Sequence, residues 1–317
     1  MPVFIVDKPL NATSHDVVAE ARRLLRTRKV GHGGTLDPLA SGVLALLVGD
    51  DTKLSPFLTG SRKRYLAWVS FGATTVTLDA EGPIIEGDRD AQLSAGLIEA
   101  ALPAFLALHE QVPPQYSAIK RAGVKGYEAA RKGERLDLPP RPAGYFEATL
   151  LAFAPQRDAL PSRIEQTAGV WEPSDSRSES GRDVPLPDPL GNYPSALLRM
   201  EVEAGTYIRS FARDLGEALG CGAFLSGLVR TGAGTLDLTQ AVTLSQLPQS
   251  ASLSAAQVLP YPRVELNPID AERIRKGQRL PLPLAERTTF LDQQGDLVAV
   301  AEDEEGRMKL LRVWSKG

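Results

Sequence analysis

The stretch Lys29-Val30-Gly31-His32-Gly33-Gly34-Thr35-Leu36-Asp37-Pro38-Leu39-Ala40-Ser41-Gly42-Val43-Leu44 constrains this chain more than any other. Glycines and a histidine run into an aspartate, a proline follows, and an apolar segment from Val43 to Val48 comes after. Glycine admits positive φ and the close approach of another molecule. Proline fixes the turn just after Asp37. The segment reads as a rigid loop tip presenting one carboxylate, backed by a buried strand or helix. Its local features alone fit equally a turn aspartate ahead of an ordinary core segment.

The rest of the chain bounds what that loop can serve. Its 317 residues suffice for one large domain or two unequal ones. With 43% hydrophobic and 24% charged residues it reads as an ordinary soluble globular protein. A net charge of −3 decides nothing about nucleic acid, because local patches govern that. The single cysteine, Cys221, excludes an internal disulfide and fits a reducing, cytoplasmic location. Met1 to Pro9 lacks the pattern of a signal peptide, and no apolar run reaches membrane-spanning length. His15, His32, His109 and Cys221 have no ligand spacing, so no metal site is expected. There is no P-loop and no dinucleotide-binding glycine fingerprint.

Along the chain, Val3–Val6 reads as a strand and 15–28 as a helix, N-capped by Thr13 or Ser14, with Arg22, Arg23, Arg26, Arg28 and Lys29 at its far end. Lys53–Leu58 reads as a helix, 61–71 as a strand, and 92–108 as a helix interrupted by Pro103. Segment 113–142 carries seven Lys/Arg against three Asp/Glu, together with Tyr116 and Tyr127, the composition of a nucleic-acid contact. After a strand over 143–156, residues 157–192 turn to Ser, Pro, Asp, Glu and Gly with little periodic apolar signal. This reads as a long surface insertion of disorder-prone composition. Leu197–Val202 is a strand, 210–219 a helix stopped by Gly220-Cys221-Gly222, and 243–259 holds one more helix. Pro260-Tyr261-Pro262 looks like a linker to a small β domain of barrel type over 263–317.

Five motifs in order make the opening stretch specific: Lys8-Pro9, Gly31-His32-Gly33-Gly34-Thr35-Leu36-Asp37-Pro38, Lys63-Arg64-Tyr65, Gly205-Thr206-Tyr207-Ile208-Arg209, and the run from Leu215-Gly216 through Leu228 to Arg230. Together they closely resemble the TruB family of tRNA pseudouridine synthases. The resemblance covers nearly the whole chain except 157–192. It implies an α/β (α+β) pseudouridine synthase fold over 1–259, with a central mixed, largely antiparallel sheet flanked by helices. Segment 113–142 resembles that family's RNA-gripping thumb, and 260–317 its PUA-type RNA-binding domain.

The resemblance further implies isomerisation of uridine 55 in the TΨC loop of tRNA to pseudouridine, with no cofactor and no protein partner, by a monomer. Asp37 matches the catalytic aspartate, as nucleophile or as base on the sugar. Arg209 matches the arginine that keeps the carboxylate ionised in a closed site. Tyr65 matches the tyrosine that stacks on the target uracil. His32 matches the residue that takes the space of the flipped nucleotide or contacts its phosphate, and Tyr207 and Leu228 match pocket residues. Arg22, Arg23, Lys63, Lys120, Arg121 and Lys125 are phosphate contacts at the level of a patch.

Two departures stand out. Asn11 replaces the family's usual glycine, and asparagine tolerates the left-handed backbone well enough to keep the turn. The insertion carries seven Asp/Glu against four Lys/Arg and is expected to loop away from RNA. An alternative activity is a tRNA-binding or tRNA-folding protein whose main role does not need catalysis. The RNA-guided synthases of ribonucleoprotein particles resemble this chain in the core, but they lack the thumb.

Overall fold

Period-two alternation in residues 63–71 assigns the two faces of the fold. Tyr65, Ala67, Val69 and Phe71 join one core cluster, and Leu66 and Trp68 join another. The computed structural model describes residues 2–87, 92–117, 119–121, 124–134, 136–175, 178 and 181–315. Its central sheet has eight strands. They are β1 (Val3–Lys8), β2 (Val30–His32), β3 (Ala40–Val48), β4 (Lys63–Phe71), β5 (Tyr145–Ala154), β6 (Ser195–Val202), β7 (Ala223–Ala233) and β8 (Leu236–Asp237). The order is β1-β3-β7-β4-β6-β5, with β2 on β3 and β8 on β7. Only the β3–β7 pairing in this sheet is parallel.

That pairing positions the loop of the opening motif. Register sets Ala40 against Leu228 and Gly42 against Arg230, while on the other side of β7 Arg230 faces Tyr65. Three segments distant in sequence thus meet where β3 begins. Gly42 has φ +97°, and a Cβ there would stand 2.3 Å from the Arg230 carbonyl oxygen. Only glycine permits that approach.

Helices close both faces. Helix α1 (Ser14–Leu24) starts with a reciprocal cap between Thr13 and Asp16 and buries Val17, Val18 and Ala21 against Phe4, Val6, Leu44 and Leu46. It ends before the expected residue 28, since Arg26 turns left-handed at φ +51°. Helices α2 (Ala95–Leu106) and α3 (Ile208–Ala218) cover the Tyr65 face through Ile98, Leu102, Phe105, Phe211 and Leu215.

The described residues of the insertion are structured, which corrects the expectation of a disorder-prone surface excursion. Strands Arg163–Thr167, Val170–Pro173 and Arg182–Asp183 form a sheet of their own. Leu160, Ile164, Trp171 and Val184 pack into the cluster of Leu66 and Trp68, on the face opposite Tyr65. Trp68 Nε1 donates to the Pro161 carbonyl at 3.1 Å, and Trp171 Nε1 to Asp237 at 3.2 Å. The strands are too short to show periodicity, and the apolar residues they bury are spaced singly among polar ones.

Segment 113–142 is rooted in the body. Strand Glu110–Gln111 pairs with Arg141–Pro142, and between them lie strands Lys120–Arg121 and Val124–Lys125 and helix Gly126–Arg131. The helix expected within 243–259 is a single turn, Ala255–Val258, preceded by a 3-10 turn, Leu247–Gln249. Leu253 intervenes because its backbone pairs with Val3. The tail forms a sheet β9-β10-β11-β12 of Arg263–Glu265, Thr288–Leu291, Leu297–Glu304 and Arg307–Val313, packed on α4 (Pro268–Arg275). Leu297, Val300 and the fully buried Trp314 share a core with Leu54 and Phe57 of the body. Among the described residues, no helix is long and apolar enough to cross a membrane.

Because the insertion contributes core, Ile164→Ala is expected to destabilise the whole body by about 2–5 kcal/mol. Urea unfolding checks this. A loss under about 0.5 kcal/mol would mark the insertion as an appendage.

Candidate active site

The loop bearing Asp37 is held through its backbone by buried cations. Arg230, 2% exposed, donates from Nε to the Val43 carbonyl (2.7 Å), from Nη1 to Thr35 (3.1 Å) and from Nη2 to Gly34 (3.3 Å). It therefore spans the loop from before Asp37 to β3 beyond it. Lys8, fully buried at the end of β1, donates from Nζ to the carbonyls of Pro9, Ala12 and Pro38. Burial pulls its ammonium down to about 8. Asn11 takes φ +62°, as expected for the glycine replacement, and its N–H donates to Pro38 at 2.9 Å.

Asp37 meets Arg209 from the first turn of α3. Arg209 Nε stands 2.9 Å from Asp37 Oδ2 and 3.5 Å from Asp79 Oδ2. The guanidinium is 6% exposed, whereas the Asp37 side chain keeps 36% of its surface open. The other two nitrogens are occupied: Nη1 donates to the Thr77 carbonyl (3.1 Å) and Nη2 to the Tyr116 carbonyl (3.0 Å). The arginine is thereby fixed, and one carboxylate beside it faces outward.

Asp79 is the residue that sequence reasoning missed. It is 1% exposed and lies in a turn whose Leu78 has φ +65°. Burial pushes its carboxyl up, against the pull of Arg209, the Thr77 hydroxyl and the Glu81 N–H. Its signal in the sequence is faint: a lone aspartate between Leu78 and Ala80. Glu81 reaches solvent beside it. Partial desolvation, then the charges of Asp79 and Asp37, push Glu81 up to about 7.

The other predicted pocket residues lie on β2, β4, β7 and at the start of α3. Tyr65 and Leu228, 7% and 6% exposed, share a cluster with Leu36 and Leu39. Tyr207 caps α3, its backbone held both ways by Gln111: its N–H donates to Oε1 at 3.0 Å and its carbonyl accepts from Nε2 at 3.1 Å. Burial and the Asp37 charge push its phenol up. His32, half-buried on β2, accepts the Gly34 N–H on Nδ1 at 3.4 Å. Its ring meets His15 edge-on, centroids 5.4 Å apart, and burial pulls it down.

The phosphate patch needs correction at Lys63. That side chain is 6% exposed and its ammonium donates to the carbonyls of Leu58, Thr59 and Ser61, so it faces the protein and not solvent. Arg22 and Arg23 are exposed, the first bonded to the Val30 carbonyl and the second to Glu20. Lys120, Arg121 and Lys125 lie in the two short strands of segment 113–142, and their side chains fall outside the described residues. Among the described residues, no group of three or more His, Cys, Asp and Glu is placed to hold a metal ion.

Comparison with known proteins bears on this geometry. Residues 22–171 match the family described as TruB family pseudouridylate synthase (N terminal domain), and residues 209–271 the tRNA pseudouridylate synthase B C-terminal domain. A relative from Thermus thermophilus named tRNA pseudouridine synthase B is 52% identical over 316 residues, 100% of this chain and 99% of the relative. One of the same name from Deinococcus radiodurans is 44% identical over 99% of this chain and all of the relative. In fold, the chain resembles a chain from a Cbf5-Nop10-Gar1 complex, with TM-score 0.65 and 22% identity, covering 98% of this chain and 84% of the other. A chain of an archaeal box H/ACA sRNP Nop10-Cbf5 complex gives 0.62 and 20%, covering 99% and 86%.

The Glu81 carboxyl carries a pH signature. Its folded pKa lies above the ordinary 4.5, so the folded state holds a proton that the unfolded chain releases between pH 4.5 and about 7. Stability from this group falls as pH rises through that window. Glu81→Gln is expected to melt with the wild type near pH 4.5 and to exceed it by on the order of 1–4 °C at pH 7.5. Calorimetry across the window checks this, and a pH-independent offset would remove the assignment.

Proposed function

Because the chain belongs to the TruB family of pseudouridylate synthases, we propose that it isomerises uridine 55 in the TΨC loop of tRNA to pseudouridine, acting as a monomer in the cytoplasm. The observation that carries this is the ion pair of buried Arg209 with half-open Asp37. The reaction breaks the bond between ribose C1′ and uracil N1 and makes one between C1′ and C5. The C5 proton is lost and N1 gains one. Atoms and oxidation state are conserved, so the chemistry calls for a carboxylate at the ribose and not for a redox group.

Asp37 acts on the flipped nucleotide, as nucleophile or as base on the sugar. Arg209 keeps that carboxylate charged when RNA closes the site and strips its water. Tyr65 stacks on the uracil, and Tyr207 and Leu228 complete the pocket. His32 fills the place the nucleotide leaves. With Nδ1 accepting from Gly34, the proton of its neutral ring sits on Nε2. Arg22, Arg23, Lys120, Arg121 and Lys125 take the T-arm phosphates. Residues 113–142 grip the RNA, and the tail from residue 260 adds a PUA-type contact.

Incubation with an unmodified T-arm stem-loop, followed by pseudouridine mapping, is expected to convert the target uridine. Asp37→Asn is expected to bind the same RNA within about threefold while losing at least ~1,000-fold in rate. No product from the wild type would refute the activity. Full activity of the variant would remove Asp37 from the chemistry.

A further inference from the structure

The residues on either side of Asp37 are both held by one segment, 8–14. Before Asp37, the Ser14 hydroxyl accepts the Leu36 N–H at 2.9 Å and donates back to the Leu36 carbonyl at 3.2 Å. After it, the Pro38 carbonyl accepts from the Asn11 N–H at 2.9 Å and from Lys8 Nζ at 3.3 Å. Ser14 is fully buried, and it is the first residue of α1. A single oxygen thus meets both polar backbone groups of the residue that precedes the carboxylate. Ordinary cap chemistry does not need it: Thr13 and Asp16 already satisfy the cap between themselves.

We propose that Ser14 is a positioning residue for Asp37, fixing the Leu36 peptide so that the carboxylate stays aimed between Arg209 and the ribose. Leu36 is buried with its side chain among Leu39, Tyr65 and Leu228, so the hydroxyl and the apolar contact lock the same residue from two sides. Losing the hydroxyl frees rotation of the peptide next to Asp37 and leaves the RNA-facing side chains in place. The expected defect is therefore in the chemical step, not in binding. It rests on the assignment of Asp37 made above.

The test measures single-turnover rate and RNA affinity on the full chain with the T-arm stem-loop, for Ser14→Ala, Asp37→Asn and Thr13→Ala. Ser14→Ala is expected to lower the rate at saturating enzyme about 10- to 100-fold while affinity stays within about twofold. Thr13→Ala breaks the neighbouring cap but not the Leu36 contacts, so it is expected to lower the melting temperature and leave the rate unchanged. A Ser14→Ala rate within twofold of the wild type overturns the proposal. So does a rate loss matched by lost affinity, an equal rate loss in Thr13→Ala, or a Ser14→Ala chain that does not fold, since each makes the hydroxyl structural only. An active Asp37→Asn would instead refute the role of Asp37, and the two failures are read separately.

Discussion

One buried guanidinium organises the site. Arg209 reaches the loop of Asp37 directly, the 77–79 turn through Asp79 and the Thr77 carbonyl, and segment 113–142 through the Tyr116 carbonyl. Burying a charge is costly, and breaking one partner of a buried pair costs about 3–5 kcal/mol. The arrangement offsets that cost by giving the cation two carboxylates and two carbonyls. Asp79 is sealed at 1% exposure and Asp37 is left 36% open. The sealed carboxylate fixes the arginine, and the open one is free for chemistry.

The sheet makes this meeting possible. Asp37 precedes β3, Tyr65 lies on β4, Leu228 and Arg230 lie on β7, and Arg209 begins α3 against the same face. Parallel pairing of β3 with β7 brings the loop to Arg230, whose three bonds to Gly34, Thr35 and Val43 give the loop its shape. Around Asp37, Lys8, Ser14 and Arg230 all spend buried polar groups on backbone carbonyls or amides, and such satisfied networks fix a single conformation.

How far the sequence revealed this differs by residue. Strand 63–71 was readable because alternation maps directly onto two buried faces. Asp37, Arg209, Tyr65, Tyr207 and Leu228 could be singled out through motif resemblance, and periodicity alone would have put Leu228 in the core. Asp79 was not readable, since its place is set by an isolated backbone bridge to Leu225, a contact across 146 residues. Lys63 was misread as a surface cation because its ammonium is claimed by the carbonyls of the turn just before it. The insertion was misread because Ile164, Trp171 and Val184 are too sparse to form a pattern, yet each reaches the core.

Replacing Arg209 by glutamine removes the charge and keeps only two of the five N–H donors, so rate and folded fraction are measured together. The decisive measurement is the single-turnover rate of pseudouridine formation in Arg209→Gln beside its affinity for the T-arm stem-loop, with the folded fraction set by circular dichroism at low temperature. The expected rate is at least ~100-fold below wild type per folded molecule, with affinity kept within about threefold. A rate within threefold of wild type, or a loss explained wholly by weaker binding, would contradict it.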